Sequence, residues 1–193
     1  FRIGKMKKRL EDYVLKLQNF LDEKFCSETI KQLRKNKWGD HYFHNSLTDE
    51  HVKRSGNQEL EVSYKEIPNK QIIMDKLHTA IHTYQTTINF TWWSTWNGYT
   101  SIRFNRYTKT KKMALHCDHT HTIFDGKRKG VPILSCLGAL NDDYTGGEFV
   151  LFGDTVVELK KGELLMFPSN FLYPHKVEPV KKGKRYTYIS WVW

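Results

Sequence analysis

Two separate parts of the chain carry side chains that could bind one metal ion together. The stretch Leu115-His116-Cys117-Asp118 is followed, 57 residues after Asp118, by His175. Alternate side chains of a β-strand point to opposite faces, so His116 and Asp118 would project together while Cys117 points away. If His175 comes from a neighbouring strand, two imidazoles and one carboxylate face the same point. Such a donor set holds non-haem Fe(II) and leaves coordination positions open for chemistry.

A basic residue ten positions after His175 extends this arrangement. Fe(II) held by a single carboxylate keeps a net positive charge, which suits an anionic, bidentate co-substrate followed by dioxygen. Arg185 begins a run in which period two places Arg185, Thr187, Ile189 and Trp191 on one face. A guanidinium there can bind the far carboxylate of the co-substrate through charge-assisted hydrogen bonds worth about 1.5–3 kcal/mol. We therefore take Arg185 and Thr187 as candidate co-substrate residues.

These residues belong to an ordered series of motifs in the C-terminal half of the chain. The series is Arg106-Tyr107, His116-Cys117-Asp118, Leu140-Asn141-Asp142-Asp143, Gly146-Gly147-Glu148-Phe149, residues 162–168, residues 175–180 and Gly183-Lys184-Arg185-Tyr186. From about Arg103 to Trp193 the sequence resembles the 2-oxoglutarate- and Fe(II)-dependent oxygenases of the prolyl 4-hydroxylase-like group.

The resemblance implies a fold, a site and a reaction. The fold would be mainly β with flanking helices (α+β), a double-stranded β-helix or jelly roll supported by N-terminal helices. His116, Asp118 and His175 would bind Fe(II), and Arg185 with Tyr107 would hold 2-oxoglutarate. The reaction would consume dioxygen, convert 2-oxoglutarate to succinate and hydroxylate a C–H bond of the main substrate, with ascorbate as a further candidate cofactor.

The motifs differ from the family pattern at positions that would contact the main substrate. Met113 stands three residues before the first histidine, where family prolyl hydroxylases carry a tyrosine against the substrate ring. An arginine of the family is absent near Val131-Pro132, and Lys127 or Arg128 could supply its charge. Trp191, on the face of Arg185, could wall the active site. Trp191, Met113 and Arg128 are therefore candidate substrate residues.

The resemblance favours a peptidyl proline as the substrate. A free amino acid or another small molecule is an alternative, because it would need no long groove. A nucleic-acid dealkylating oxygenase would use the same iron chemistry and benefit from a basic surface. That family, however, has an asparagine where this chain has Thr187. A jelly-roll binding module without a metal is disfavoured, because all three candidate ligands and the arginine are present.

Other residues with reactive side chains fit simpler roles. His78 and His82 have the i, i+4 spacing of a zinc protease helix, but Thr79 stands where that enzyme needs its glutamate. We expect both histidines to be surface or packing residues, and Cys117 to be a buried, inert thiol.

The loop from His119 to Gly130 follows the first metal-binding motif directly. It is basic and contains glycines, so it is predicted to be either a lid over a peptide or a plain solvated connection. His119 and His121 within it are rival ligands to the motif histidine, but only the pair at positions 116 and 118 precedes the expected downstream series.

The hydrophobic pattern predicts helices first and strands afterwards. Helices are expected over Leu10–Leu21, after a cap at Ser27, and from Pro68 to Ile88. The predicted strands are Tyr99–Tyr107, Val131–Leu140, Glu148–Phe152, Thr155–Leu159, Glu163–Phe167 and Arg185–Trp193. We predict one domain over 1–193, with helix-rich support in 1–90 and a jelly-roll core in 91–193.

Composition limits the class of protein and its partners. The 193 residues carry a net charge of +10 and 14% aromatic residues, which indicates a packed globule that attracts acidic partners. An acidic protein or peptide is the expected partner, and nucleic acid is not. Three cysteines and no long apolar run fit a soluble, cytoplasmic protein without a disulfide scaffold. Because residue 1 is Phe instead of Met, the question of an upstream segment stays open.

Overall fold

The structure is a computed structural model that describes residues 9–45, 48, 50–90, 93, 95–118 and 132–193. Within these ranges it contains two α-helices, α1 (Glu23–Leu33) and α2 (Pro68–Ile88), and two 3-10 turns (Leu10–Tyr13 and Gly56–Gln58). Its strands are β1 (Leu15–Leu17), β2 (Gly39–Asp40), β3 (Phe43–Asn45), β4 (Glu50–Val52), β5 (Glu61–Ser63), β6 (Arg103–Tyr107), β7 (Met113–His116), β8 (Leu134–Ala139), β9 (Thr145–Gly146), β10 (Phe149–Leu151), β11 (Thr155–Val157), β12 (Leu164–Pro168), β13 (His175–Val177), β14 (Val180–Lys182) and β15 (Arg185–Val192).

The strands form two main antiparallel sheets. The larger sheet has the order β1-β12-β8-β15-β6-β5-β2, and the smaller sheet has the order β11-β10-β13-β7. Strand pairs β14-β9 and β3-β4 lie outside these two sheets. Since β1, β2 and β5 precede residue 90, the N-terminal part of the chain contributes strands to the larger sheet as well as helices.

The larger sheet has an apolar core on each of its faces. One core joins this sheet to both helices, through residues such as Leu33, Ile73 and Leu77. The other core lies between the two sheets and includes Leu137 of the larger sheet and Val177 of the smaller one. The helices therefore support one sheet from outside, as the sequence predicted, and the space between the sheets is the interior of a roll.

One glycine of the larger sheet is required by close packing. Gly138 of β8 lies against the ring of Tyr188, a buried residue of the neighbouring strand β15. A Cβ atom at this position would stand 2.0 Å from Cζ of that ring, well inside van der Waals contact. The sheet can therefore carry a full tyrosine on its helical face only because the residue beside it has no side chain.

The two helices differ in how well the sequence predicts where they begin. Helix α2 begins at Pro68 and ends before Asn89, which has a left-handed φ of 51°, so the predicted span is confirmed. Helix α1 begins earlier than predicted, because Asp22 is its N-cap and accepts a hydrogen bond from the Phe25 amide. Ser27 lies inside the helix, where its hydroxyl donates to the Glu23 carbonyl.

The predicted helix over Leu10–Leu21 is wrong. This segment forms a 3-10 turn, then β1, which pairs with β12, and then a turn in which Asn19 has a φ of 53°. Its apolar residues Leu15, Leu17 and Phe20 are partly buried against the core beside the sheet edge, instead of along a helical face. The 3-10 turn is also held by one side chain, since the Tyr173 hydroxyl donates a hydrogen bond to the Leu10 carbonyl at 2.9 Å.

The predicted strands of the C-terminal half are confirmed; all are shorter than the hydrophobic runs except β12, which keeps its predicted length and is shifted by one residue. The structure adds β7 and β13, which the pattern of apolar residues alone does not mark, and the pairs β14-β9 and β3-β4. No helix in the described ranges combines the length and apolar character needed to cross a bilayer.

Candidate metal centre

Two histidines and one aspartate meet in the interior of the roll. His116 ends β7 and His175 begins β13, and these residues are direct partners in the antiparallel ladder. Asp118 follows two residues after β7. One ligand atom from each of the three side chains lies within 4.8 Å of the other two. Nε2 of His116 is 3.5 Å from Asp118 Oδ1, and Nε2 of His175 is 3.7 Å from Oδ2.

Backbone carbonyls orient both imidazoles toward this point. Nδ1 of His116 is 2.8 Å from the Ala114 carbonyl oxygen, and Nδ1 of His175 is 3.1 Å from that of Tyr173. A carbonyl oxygen can only accept, so each Nδ1 carries the proton when the ring is neutral. The unprotonated Nε2 atoms then face the carboxylate, which is the arrangement that metal-binding histidines commonly have.

The carboxylate between the two rings is buried and held by hydroxyl groups. Ser135 of β8 donates to Asp118 Oδ2 at 2.6 Å, and Ser169 lies 2.7 Å from the Ser135 hydroxyl. Burial by itself raises the pKa of Asp118. The facing histidines and the serine hydrogen bond lower this pKa more strongly, so the net shift is well below the usual range. The carboxylate is therefore ionised at neutral pH, as a metal ligand must be.

Aromatic rings surround the second histidine. The His175 ring centroid lies 5.4 Å from that of Phe149 and 5.1 Å from that of Phe167. Burial lowers the pKa of His175 to about 4, although the Asp118 carboxylate acts in the opposite direction. The imidazole is thus neutral near pH 7, with its Nε2 lone pair available to a metal ion.

Arg185 is the largest fully buried side chain near this centre, at 1% exposure. Its Nε donates to the Tyr144 hydroxyl at 3.2 Å, and its guanidinium carbon lies 4.9 Å from the centroid of the Tyr107 ring. Its Nη1 is buried and has no hydrogen-bond partner among the described residues. Leaving a buried charged donor unpaired costs free energy. The missing partner is therefore expected to be an anionic ligand.

Two further features position this arginine. Gly147 has a φ of 69°, and a Cβ there would lie 3.2 Å from the Arg185 side chain. Asn141 holds the start of β15, because its Oδ1 accepts from the Tyr186 amide at 2.7 Å and its Nδ2 donates to the Lys184 carbonyl at 2.6 Å. A pocket of about 310 Å³ lined by Tyr144, Gly147 and Arg185, among others, opens beside the guanidinium.

Thr187 and Trp191 lie on the same strand as Arg185. Thr187 is fully buried, and its hydroxyl accepts a long hydrogen bond of 3.4 Å from Asn105. Trp191 is half-buried and pairs in register with Ser135. The guanidinium carbon of Arg103 lies 5.1 Å from the Trp191 ring centroid. Thr187 and Trp191 thus line the interior of the roll beside the candidate centre.

The other two candidate substrate residues have different outcomes. Met113 is buried in the core between the sheets, at 7% exposure, and pairs in register with Val177. Arg128 lies outside the described residues, as does the whole loop from His119 to Gly130 with its rival histidines.

The remaining histidine pair and the cysteine have no place in the centre. His78 and His82 contact each other on the exposed side of α2, and both contact the Trp96 ring at 5.5 Å. Cys117 does point away from the ligands, toward the Phe171 carbonyl at 3.6 Å. It is half-buried instead of buried as predicted, and burial raises its pKa.

Three supporting residues were missed by the sequence reasoning. Ser135 could have been found, because it has the same parity in β8 as the interior residues Leu137 and Ala139 and is polar. Tyr144 and Asn141 lie in the loop after β8 and hydrogen-bond Arg185 and the backbone at the start of β15. Nothing in their spacing in the sequence indicates that they contact this strand.

A comparison with protein families decides the class of this site. Residues 102–193 match the model of the 2OG-Fe(II) oxygenase superfamily, where 2OG is 2-oxoglutarate. This part of the chain, slightly less than half of it, has the sequence pattern of a 2OG-Fe(II) oxygenase domain. The matched oxygenase domain contains all three candidate ligands and Arg185, and its start agrees with the resemblance that begins near Arg103.

Relatives of the oxygenase domain carry the name PKHD-type hydroxylase. The one from Idiomarina loihiensis is 34% identical over 94 residues, which are 47% of this chain and 41% of that relative. One from Aliarcobacter butzleri is 35% identical over 96 residues, with 46% and 41% covered. The chain thus spans about two fifths of the length of these curated relatives.

Solved structures of similar fold are prolyl hydroxylases. A viral collagen prolyl hydroxylase from Paramecium bursaria Chlorella virus-1, in complex with 2OG, has a TM-score of 0.66 at 17% identity and covers 93% of this chain and 94% of its own. A prolyl hydroxylase from Trichoplax adhaerens, bound to a peptide of hypoxia inducible factor, has a TM-score of 0.68 at 17% identity and covers 94% and 84%. The predicted fold, a jelly roll with supporting helices, is confirmed.

The oxygenase family uses Fe(II), 2OG and dioxygen, and the residues of this site fit those ligands. Two imidazoles and one carboxylate form the donor set that Fe(II) takes while keeping open positions. The unpaired Nη1 of Arg185 fits a carboxylate of 2OG, because Arg185 lines a pocket together with Phe149, whose ring also contacts His175.

Proposed function

We propose that this protein is a 2OG-dependent dioxygenase that hydroxylates a C–H bond of its main substrate, with a peptidyl proline as the leading candidate. In the balanced reaction, 2OG, dioxygen and the substrate R–H give succinate, carbon dioxide and R–OH. The observation that carries the proposal is the meeting of His116, Asp118 and His175 beside a buried guanidinium nitrogen without a partner.

Each residue of the site has a proposed role. His116, Asp118 and His175 would hold Fe(II), and the Ser135 hydroxyl would keep the carboxylate in place. Arg185 would bind the distal carboxylate of 2OG, with the Tyr107 ring beneath it. When bound, Fe(II) would supply the one-electron chemistry with dioxygen that side chains cannot provide. The phenylalanine rings around His175 would exclude water from the reacting atoms.

The substrate proposal is supported by relatives rather than by a pocket residue. The similar solved structures are named prolyl hydroxylases, and one of them holds a peptide. Trp191 lies near the candidate centre on the face of Arg185, where a substrate side chain could pack against its ring. A peptide is therefore the proposed partner of this site.

The test measures succinate in the presence of Fe(II), ascorbate and 2OG. Proline-rich peptides, free amino acids and alkylated oligonucleotides are added in parallel, and we expect the peptides to stimulate succinate formation. His175→Ala should abolish turnover, while His82→Ala on the exposed side of α2 should leave it intact. Stimulation by the oligonucleotides alone would reject the peptidyl substrate, and full activity of His175→Ala would reject the site.

A further inference from the structure

A second buried guanidinium faces the interior of the roll. Arg103 of β6 is 8% exposed and has the same parity in its strand as Asn105 and Tyr107, whose side chains point inward. Its Nε donates to Asn105 Oδ1 at 3.0 Å, and its guanidinium carbon lies 5.1 Å from the Trp191 ring centroid. Arg103 is thus held in place by an amide oxygen and an indole face.

The position of Arg103 places it beside the metal centre and away from the co-substrate anchor. It pairs in register with Ile189, four residues along β15 from Arg185, which corresponds to about 13 Å of strand. Trp191, the ring it stacks on, pairs with Ser135, and Ser135 hydrogen-bonds the Asp118 carboxylate. The guanidinium therefore lies at the end of the roll opposite the site proposed for the distal carboxylate of 2OG.

Arg103 has no close carboxylate partner in the part of the chain that the structure describes, although Glu59, which faces His41, adds a negative charge to the same region of the interior. Among the described residues, its guanidinium forms no ion pair with a carboxylate. Arg106 on the same strand gives a direct contrast, because its guanidinium binds both oxygens of Glu61, at 2.9 and 3.0 Å. A buried charge without an ion-pair partner is costly, and proteins keep such groups where a ligand supplies the opposite charge.

We propose that Arg103 is a specificity-determining residue that binds a carboxylate of the main substrate, so that the substrate is an acidic peptide or an acidic amino acid. This inference rests on the proposed oxygenase function and names the class of its substrate. The indole of Trp191 and the amide of Asn105 hold the planar guanidinium so that its free edge can form two parallel hydrogen bonds with the carboxylate. The net charge of +10 acts in the same direction by attracting acidic molecules.

The experiment compares probes that differ only in one charge. A set of proline-centred peptides carries Asp, Asn or Lys at each position near the proline, and free aspartate and glutamate are compared with asparagine and glutamine. Succinate formation gives kcat/KM, and fluorescence polarisation of labelled peptides, with Mn(II) in place of Fe(II), gives affinity without turnover. The variants are Arg103→Gln, Arg103→Lys and Arg103→Glu, with Arg106→Gln as the matched control.

We expect wild type to prefer at least one acid probe over its amide by about tenfold or more, as removal of one charged hydrogen-bond partner predicts. Arg103→Gln should remove this preference, Arg103→Lys should retain part of it, and Arg103→Glu should shift it toward the lysine peptide. Arg106→Gln should keep the wild-type preference. The KM for 2OG in uncoupled turnover should stay within about twofold in all Arg103 variants.

Three results would overturn the proposal. The first is equal binding and turnover of acid and amide probes by wild type. The second is an equal loss for both kinds of probe in Arg103→Gln, which would indicate a structural role. The third is a raised KM for 2OG, which would assign Arg103 to the co-substrate. Failure of the oxygenase function itself would appear separately, as absence of 2OG turnover while the polarisation assay still reports the charge preference.

Discussion

At the scale of single residues, the two oxygens of the Asp118 carboxylate have different surroundings. Among the described residues, Oδ1 faces His116, whereas Oδ2 faces His175 and also accepts the Ser135 hydroxyl. Ser169 supports that hydroxyl in turn. The carboxylate is thereby fixed between the two imidazoles before any metal arrives, and the hydroxyl pair on the strand behind it determines its orientation.

This arrangement predicts that Ser135→Ala weakens metal binding without unfolding the protein. Loss of a hydrogen bond to a ligand typically lowers metal affinity by roughly 10- to 100-fold. Titration of the metal-free protein with Mn(II), followed by calorimetry, would measure the change. Ser101→Ala, at an exposed serine, is the control, and an unchanged affinity in Ser135→Ala would contradict the proposed role of its hydroxyl.

A second prediction concerns the guanidinium at the other end of the site. Arg185→Gln should raise the KM for 2OG by about 10- to 100-fold, because a charged hydrogen bond worth roughly 1.5–3 kcal/mol is lost. Metal affinity should change little, since Arg185 is not a ligand. Steady-state kinetics over a range of 2OG concentrations would measure the effect, with exposed Lys184→Gln as the control for a lost positive charge. Equal KM values in the two variants would exclude Arg185 as the anchor.

At the scale of elements, the neighbouring strands β8 and β15 depend on a residue without a side chain. Gly138→Ala would place a methyl group 2.0 Å from the Tyr188 ring, which is fully buried and cannot move away. Overpacking of this kind costs about 1–3 kcal/mol or more. Urea unfolding should show that loss, whereas Gly39→Ala, whose new Cβ would have no neighbour closer than 3.9 Å, should have little effect. Similar losses in both variants would contradict the packing argument.

Some elements could be predicted from local sequence and others could not. Helix α2 was predictable because Pro68 and a long apolar stripe determine it within one segment. The stripe over Leu10–Leu21 has the same spacing, but its strand pairs with β12, almost 150 residues later, and that pairing is invisible in local sequence. Short strands such as β13 carry too few residues for a pattern to be read.

The site shows the same division between motif and context. The candidate ligands could be proposed from the order of the motifs, and the fold then makes His116 and His175 direct partners in one ladder. The parity of Ser135 places it in the interior, but the roles of Tyr144 and Arg103 could not be assigned, because they depend on which strands become neighbours. A buried charge in particular is recognised only when the surrounding carboxylates are known.

At the scale of the whole molecule, a buried histidine links stability to pH. His41 is 6% exposed, and its Nδ1 lies 3.4 Å from an oxygen of Glu59. Burial lowers the pKa of His41, although Glu59 acts in the opposite direction. An unfolded histidine binds a proton near pH 6.5, so the unfolded chain gains protons before folded His41 does. This residue therefore makes the free energy of unfolding decrease as the pH falls below about 7.

The prediction is a difference between two pH profiles of the metal-free protein. Urea unfolding at pH 7.5, 6.5 and 5.5 should show a shallower decline in His41→Gln than in wild type, while exposed His82→Gln should follow wild type. Because His175 is present in all three proteins, its own contribution cancels in the comparison. Parallel profiles for wild type and His41→Gln would show that His41 does not contribute.

The contact between Tyr173 and Leu10 has a consequence for the N-terminus. Tyr173 donates its hydroxyl to the Leu10 carbonyl, and its own carbonyl accepts from Nδ1 of His175, so one residue joins the 3-10 turn at Leu10–Tyr13 to a candidate metal ligand. Proteolytic removal of the chain up to residue 18 would remove the Leu10 carbonyl. It would also remove β1 and so uncover the backbone of β12 as a free edge. A shortened protein would accordingly aggregate through that edge and lose alignment of an imidazole that lies far from the cut in sequence.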